Sequence, residues 1–356
     1  MGIDLRQDYN LAPILKYENI AWFEDGKVKI LDRRVYPAKK EFVYCNSYIE
    51  VALAIKDMVT QSAGPFTAGP MGMALAAYEC RNEKESVQRE FLNRAADTIS
   101  NARPTTAKRM RVLLEECLKS ADMALSEGKC VYDAIVDKTV AMNDERYLLI
   151  DKIAKHLVSK FPNGGKVMTY CWAETIVGIM LRNCREQNKE IKLFCCETRP
   201  YFQGARLTAS CIKDMGFDVT VITDGMPSFV MANEAIDVFT TAADAICCDG
   251  SVINKVGTSN TAIVAKHYGV PYYVTGAPEP SHKTAKDVTI EMRDPEFTLT
   301  AMGTRTADEG VKGYYPSFDI TSPDLVSGVV TPEGIFKPGE LDKYFEAAGS
   351  EFRVVV

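Results

Sequence analysis

The sequence predicts an α/β protein. A doubly wound, parallel, Rossmann-like sheet domain follows a smaller, mainly helical N-terminal domain that carries a β-hairpin. Its 356 residues exceed what one compact core usually holds, so two domains are expected. Helical periodicity dominates up to about residue 165. Beyond it, β-prone runs alternate with helical segments at roughly 20–30 residues per unit, the spacing of strands joined by right-handed helical crossovers.

Composition limits the possible functions. Hydrophobic residues make up 46% of the chain, charged residues 25%, and the net charge is −6, which is typical of a globular protein and disfavours a nucleic-acid or anionic-membrane surface. Neither an apolar leader nor a membrane-length apolar run occurs, so a cytoplasmic location is expected. Eleven cysteines without a C-x-x-C pair and three scattered histidines predict neither disulfides nor a metal site. No G-x-G-x-x-G follows a predicted strand, so no dinucleotide and no other cofactor is expected.

The first domain is predicted to begin with a hairpin in Asn19–Tyr36, where apolar runs flank a turn at Glu24-Asp25-Gly26. A helix follows near residues 51–58. The Gly-, Pro- and Ala-rich stretch Ser62–Gly72 then predicts a loop, which either approaches a ligand or only connects two helices.

Four further helices are expected in residues 83–102, 105–118, 123–140 and 145–160. We place the domain boundary within residues 143–165, giving domains 1–145 and 146–356. Arg103 precedes Pro104, which disfavours helical angles at Arg103. An arginine on such a turn either clamps an anion with two hydrogen bonds or is simply solvated.

The second domain is predicted to hold parallel strands in residues 166–171, 192–196, 218–223, 245–248 and 271–275. The first ends on Cys171, and a helical pattern opens at Glu174-Thr175. Ligands of open parallel sheets bind beyond the carboxyl ends of the strands, and amides at a helix start favour a thiolate. Cys171 is therefore either an acid/base or nucleophilic thiol or, like most free cysteines, a packing residue.

Polar residues also follow the other predicted strands. They include Gln203 after the second strand, Asp249 at the end of the fourth, and Asn254-Lys255 shortly after it. A carboxylate at Asp249 facing the Cys171 thiol would supply two proton-transfer groups, and Lys255 with Arg103 could hold an anion. The alternative is that these residues only begin polar loops.

Taken together, these segments resemble the 5-methylthioribose-1-phosphate isomerase family, which shares its fold with ribose-1,5-bisphosphate isomerase and the regulatory α, β and δ subunits of translation initiation factor 2B. The strings that carry the resemblance are Glu197–Ala209 (E-T-R-P-Y-F-Q-G-A-R-L-T-A), Asn254–Thr258 (N-K-V-G-T), Arg103-Pro104-Thr105 and Pro316–Thr321 (P-S-F-D-I-T). The first hairpin and helix also match, so the resemblance covers nearly the whole chain.

The resemblance implies a cytoplasmic homodimer that acts on a small sugar phosphate without a cofactor. It implies that Cys171 and Asp249 are the catalytic pair of an aldose–ketose isomerase. The other implied contacts are to the sugar and its phosphate, from Arg103, Gln203, Asn254 and Lys255.

The chain departs from the family at three places. The family's C-N-A-G run is Cys171-Trp172-Ala173-Glu174 here, which leads us to expect that Trp172 and Glu174 recognise a ring face and hydroxyls. The family's R-G-A-P loop corresponds here to Ser62-Ala63-Gly64-Pro65 or to Thr67-Ala68-Gly69-Pro70, and neither carries the family's arginine. The family's G-A-D-R-I segment is expected to be shortened, so that Asp249 directly precedes Gly250. The substrate is therefore expected to have diverged from the usual one.

Two other function classes remain open on sequence alone. A non-catalytic sugar-phosphate or nucleotide sensor would bind ligand without turnover and would not depend on Cys171. An interaction protein would use apolar N-terminal helices as a subunit face.

Overall fold

A computed structural model describes residues 6–103, 107–301 and 303–349. The chain divides into two compact units between Leu148 and Leu149. The predicted α/β class with a parallel-rich sheet is confirmed. In the described residues, no helix has both the length and the hydropathy that crossing a membrane requires.

In the described part of the first unit, most residues lie in helices and three short strands are present. In chain order its elements are α1 (Tyr17–Ile20), β1 (Ala21–Glu24), β2 (Lys27–Leu31), β3 (Phe42–Cys45), α2 (Tyr48–Lys56), α3 (Pro65–Glu79), α4 (Glu85–Ser100) and α5 (Ala107–Ser126). The next helix, α6 (Val131–Val158), is continuous where the sequence predicts two helices, and it contains the boundary between the units.

Strands β1, β2 and β3 form an antiparallel sheet. The β1–β2 turn has positive φ at both central residues, Asp25 (51°) and Gly26 (71°). These are the angles and residue types of a tight two-residue hairpin. The hairpin is therefore set by local turn chemistry.

The loop prediction for Ser62–Gly72 is wrong, because α3 starts at Pro65 and continues through Pro70. The small residues serve close helix packing. A Cβ at Gly69 would lie 2.6 Å from Met110 Sδ, and one at Gly72 would lie 2.9 Å from Val51 Cγ1. Tertiary packing thus overrides the local signals of glycine and proline for a loop.

The second unit is built on a seven-stranded sheet. Its elements are β4 (Gly165–Thr169), α7 (Thr175–Glu186), β5 (Ile191–Cys196), α8 (Ala209–Asp214), β6 (Asp218–Ile222), α9 (Pro227–Asn233), β7 (Val238–Ala242), β8 (Ala245–Ile246), β9 (Val252–Lys255), α10 (Thr258–His267), β10 (Tyr272–Thr275), α11 (Glu296–Leu299), β11 (Thr300–Ala301), β12 (Thr304–Arg305), β13 (Phe318–Thr321), β14 (Gly328–Thr331), β15 (Gly334–Phe336) and α12 (Leu341–Ala348).

The large sheet has the strand order β15-β14-β10-β7-β4-β5-β6, and all neighbours are parallel except β14 and β15. From β4 the chain moves outward to β5 and β6, then returns to the opposite side of β4 as β7. The direction of winding therefore reverses between β4 and β7, the position at which open α/β sheets bind ligands.

The fourth parallel strand is β7, so the prediction that residues 245–248 belong to the parallel sheet is wrong. The apolar residues there belong instead to a small antiparallel sheet of order β13-β9-β8, in which β8 covers Ala245–Ile246. Its register pairs Lys255 with Phe318 and Asn254 with Asp319. Lys255 therefore lies on β9 of the small antiparallel sheet and not in a loop after a strand of the large sheet.

Candidate active site

Cys171 lies two residues beyond β4 with a left-handed φ of 65°, and its side chain is half-buried. Its backbone N–H donates to Thr198 Oγ1 at 3.0 Å, and its carbonyl oxygen accepts a hydrogen bond from the Thr208 hydroxyl. A non-glycine residue with positive φ is uncommon and needs support from its surroundings. Two threonine hydroxyls from the segment that follows β5 supply that support.

The segment after β5 is itself fixed from the end of β6. Both oxygens of the Asp224 carboxylate accept backbone hydrogen bonds, from Thr198 N at 2.8 Å and Arg199 N at 2.7 Å. A Cβ at Gly204 would lie only 1.8 Å from the Cys196 carbonyl oxygen, so glycine is needed for the backbone at residue 204 to approach the end of β5 this closely. The ends of three adjacent strands are thus joined around the Cys171 turn.

Burial raises the pKa of the Cys171 thiol to about 11. The positive charge of Lys255 acts in the opposite direction, whereas the negative charges of Asp244 and Asp224 raise the thiol pKa further. At neutral pH the group is therefore a thiol and not a thiolate. As it stands, Cys171 is suited to donating a proton.

Asp244 is the acidic group that the sequence analysis missed. It comes two residues after β7, the direct neighbour of β4, and its backbone N–H donates to the Ile253 carbonyl oxygen at 2.9 Å. Its charge acts on both Cys171 and Lys255. A sequence signal was present: Ala242–Ile246 reads A-A-D-A-I, with its aspartate at the third position as in G-A-D-R-I.

Asp249 lies elsewhere, in the turn between β8 and β9, and like Asp244 it is exposed. Its carboxylate accepts a hydrogen bond from Ser251 N at 2.9 Å, and its own N–H donates to the Lys283 carbonyl oxygen. Together with burial, its charge raises the pKa of Cys247 to about 12. Asp249 thus closes a hairpin turn. The prediction that it follows a strand of the large parallel sheet is wrong.

Lys255 ends β9 and is buried. Its ammonium nitrogen lies 4.8 Å from the ring centroid of Phe318 and 5.9 Å from that of Tyr315. Desolvation lowers its pKa, and the negative charge of Asp244, together with that of Cys171 when it is a thiolate, opposes that effect. A buried cation stabilised in part by aromatic faces is well suited to an anionic ligand.

The neighbouring Asn254 is buried, and its Nδ2 donates to Thr258 Oγ1 at 3.1 Å. At the start of α10, the Asp319 carboxylate accepts hydrogen bonds from Gly257 N and Ser259 N. Burial raises the Asp319 pKa to about 6. This helix start is therefore already occupied by an acidic group of the protein.

Three other predicted site residues are buried. Within the described parts of the chain, neither Gln203 Oε1 nor Trp172 Nε1 has a hydrogen-bond partner. Glu174 is fully buried and precedes α7 with a φ of 46°. Because buried polar atoms are normally paired, Gln203 Oε1 is available to accept a hydrogen bond from a ligand and Trp172 Nε1 is available to donate one.

A cavity of about 180 Å³ is lined by residues that directly follow Thr198 and Lys255 in the chain and by residues near the start of β13. Arg199 and Pro200, which follow Thr198, are among the lining residues, together with Val256 and Tyr315.

Arg103 belongs to the first unit, is half-buried and lies just after α4, so its role in binding phosphate stays a prediction. In the described part of the chain, no three His, Cys, Asp or Glu residues are grouped so as to hold a metal ion.

The fold and these groups define a class: an α/β protein with a thiol, a carboxylate and a buried ammonium at the reversal point of a parallel sheet. The chain belongs to the Initiation factor 2 subunit family, whose model matches residues 66–338.

Its relatives carry two kinds of name. The chain is 33% identical to a methylthioribose-1-phosphate isomerase of Thermosipho africanus, over 93% of this chain and 99% of the relative. A solved 5-methylthioribose 1-phosphate isomerase from Pyrococcus horikoshii matches with a TM-score of 0.84 and 26% identity, covering 98% of this chain and 99% of the other. The solved delta subunit of translation initiation factor eIF-2B from A. fulgidus matches with a TM-score of 0.81 and 32% identity, covering 92% and 99%.

Proposed function

We propose that this protein is an aldose–ketose isomerase that converts 5-methylthioribose 1-phosphate, or a closely related 5-substituted ribose 1-phosphate, to the ribulose 1-phosphate. One observation carries the proposal. A protonated thiol at the β4–β7 reversal point experiences the charges of both Lys255 and Asp244, in a chain 33% identical to a methylthioribose-1-phosphate isomerase.

The chemistry explains why two groups are needed. With phosphate on the anomeric oxygen, the sugar cannot open to a free aldehyde, so ring opening needs a proton donor. We infer that the Cys171 thiol donates its proton to the ring oxygen as the bond from that oxygen to C1 breaks. Asp244 then accepts the proton of the 2-hydroxyl as hydrogen moves from C2 to C1 with its bonding electron pair, as a hydride, and C2 becomes a carbonyl. Passing that proton from Asp244 back to the thiolate restores both groups.

In this proposal Asp244 takes the role that the sequence analysis gave to Asp249. Support comes from position, because β7 and β4 are hydrogen-bonded neighbours and Asp244 and Cys171 each follow one of them by two residues. Asp249 is held in the β8–β9 turn by its hydrogen bond with Ser251 N.

The substrate-binding residues remain those expected from the resemblance. Lys255 would neutralise phosphate charge, Asn254 and Gln203 would contact hydroxyls, and Arg103 would contribute a further phosphate contact. The buried Trp172 Nε1, which has no hydrogen-bond partner among the described residues, supports a role for Trp172 in recognising the ring, and Glu174 is proposed to contact hydroxyls.

The test is to incubate the purified protein with 5-methylthioribose 1-phosphate, 5-deoxyribose 1-phosphate and ribose 1,5-bisphosphate and to follow ketose formation by NMR. We expect at least one to be converted, and we expect Cys171→Ala to abolish the conversion. If wild-type protein forms no ketose from any of them, or if Cys171→Ala retains full activity, the proposed function is wrong.

A second candidate is a non-catalytic sensor of sugar phosphates or nucleotides. It is favoured by the 32% identity to an eIF-2B delta subunit and by the missing arginine of the R-G-A-P loop. A sensor would gain thermal stability with ligand but would form no ketose, and Cys171→Ser would leave binding unchanged. The homodimer and the cytoplasmic location stay predictions. Measuring the mass of the protein in solution by sedimentation would test the homodimer.

A further inference from the structure

Tyr315 is a buried tyrosine whose hydroxyl has no hydrogen-bond partner in the part of the chain that the structure describes. Its side chain is only 2% exposed. A buried hydroxyl without a partner loses its hydration without replacement, and natural proteins rarely tolerate this without a reason. Tyr315 therefore calls for an explanation beyond packing.

The position of Tyr315 connects it to the proposed site. It lines the cavity beside Arg199, Pro200 and Val256, and Val256 directly follows Lys255. The Lys255 ammonium nitrogen lies 5.9 Å from the Tyr315 ring centroid. Cys171 and Tyr315 are also coupled electrostatically, because a thiolate at Cys171 would raise the pKa of the Tyr315 hydroxyl.

The surroundings fix the orientation and the protonation of Tyr315. Its ring lies 6.3 Å from the ring of Tyr201, and its carbonyl oxygen accepts a hydrogen bond from Arg293 N at 2.9 Å. Burial raises the pKa of its hydroxyl above the ordinary value, so it stays protonated at every pH at which the protein would work. Tyr315 thus lines the cavity and carries a buried hydroxyl that is a permanent hydrogen-bond donor.

We propose that the Tyr315 hydroxyl donates a hydrogen bond to an oxygen of the bound sugar phosphate. This inference rests on the proposed isomerase function for the class of ligand, and it adds a binding residue that no family resemblance assigned. Tyr315 takes no part in proton transfer. In the ligand-free protein the unpaired hydroxyl lowers the stability of the fold. A hydrogen bond to a sugar oxygen would compensate for this loss.

The experiment uses Tyr315→Phe, which removes only the hydroxyl. We expect the ligand-free variant to melt at the same temperature as wild type or higher, because an unpaired buried polar group has been removed. We also expect kcat/KM for 5-methylthioribose 1-phosphate to fall by about 10-fold or more, the effect of one lost hydrogen bond in a buried site. If kcat/KM does not change, or if the variant melts at a clearly lower temperature, the proposal is wrong.

Tyr272→Phe is the matched control. Tyr272 is equally buried, but its hydroxyl is paired with the Thr241 hydroxyl at 2.7 Å. Here we expect the opposite pattern: a lower melting temperature with kcat/KM close to wild type. Equal losses of kcat/KM in both variants would mean a general packing effect and would overturn the role of Tyr315.

A binding measurement separates this inference from the proposed function. The rise in melting temperature with 5-methylthioribose 1-phosphate is compared for wild type and Tyr315→Phe, and it needs no turnover. If wild type is stabilised but forms no ketose, the isomerase proposal fails, and a smaller rise in the variant still supports Tyr315 as a binding residue. If wild type is neither stabilised nor active, both are wrong.

Discussion

The surroundings of two cysteine–aspartate pairs in the second unit differ. Cys171 and Asp244 follow β4 and β7, which pair in the middle of the parallel sheet where its winding reverses. Cys248 and Asp249 lie together in the β8–β9 turn, where Cys248 Sγ donates to the Glu279 carbonyl oxygen and Asp249 accepts from Ser251 N. Each pair has the same chemical groups, but only the first lies at a ligand-binding position of the fold and beside a buried cation.

The largest contrast should come from the two cysteines. We expect Cys171→Ala to reduce turnover of 5-methylthioribose 1-phosphate by about 10³- to 10⁴-fold, because a proton donor is lost. Cys248→Ala should stay within about 2-fold of wild type, since it removes only a weak turn contact. The measurement is kcat/KM from the ketose assay, and comparable losses at both positions would contradict the distinction between the two pairs.

The two aspartates give the next contrast. Asp244→Asn should lower turnover by about 10²- to 10³-fold, because an amide cannot accept the substrate proton. Asp249→Asn should be nearly silent, since an amide oxygen can still accept the hydrogen bond of Ser251 N. Loss of turnover in Asp249→Asn, with normal turnover in Asp244→Asn, would restore the original assignment of Asp249.

These contrasts show how far sequence reasoning reached. The β-prone run before Cys171 and the helical pattern after it were sufficient to predict a strand-to-helix turn. The short strand β7 was missed because its apolar run lies close to the one containing β8, and spacing alone does not show which run joins the parallel sheet. Asp244 was lost with it.

Other features were beyond local patterns. Ser62–Gly72 has the composition of a loop, and only packing against Met110 and Val51 shows why a helix forms there. Tyr315 approaches Lys255 because β13 pairs with β9, which are more than 60 residues apart in sequence. Pairing between distant strands leaves no short motif to read.

A smaller effect is expected on the reactivity of the Cys171 thiol. Because its pKa is about 11, the rate of alkylation by iodoacetamide should rise about 10-fold per pH unit from pH 7 to pH 10. Lys255→Met removes a positive charge that lowers this pKa, so its rate should be lower than that of wild type near neutral pH. Peptide mapping by mass spectrometry isolates Cys171 from the other cysteines, and a faster rate in Lys255→Met would contradict the electrostatic coupling.

The smallest effect concerns the support of the Cys171 turn. Thr198→Val removes the acceptor of the Cys171 N–H, leaves that group unpaired, and should reduce the free energy of unfolding by about 1–3 kcal/mol. Thr240→Val is the control. The Thr240 hydroxyl is buried without a hydrogen-bond partner among the residues described, so its removal should be neutral or stabilising. Urea unfolding of both variants tests this, and equal losses would show that Thr198 has no special role.

The most direct test of the pairing between Cys171 and Asp244 is the pH dependence of Cys171 alkylation in Asp244→Asn and Asp249→Asn. Removing a nearby negative charge lowers the pKa of a thiol, so we expect Asp244→Asn to react faster than wild type at pH 8 and Asp249→Asn to match wild type. Faster alkylation in Asp249→Asn, with no change in Asp244→Asn, would show that the turn aspartate is the partner of the thiol and that the proposed site is wrong.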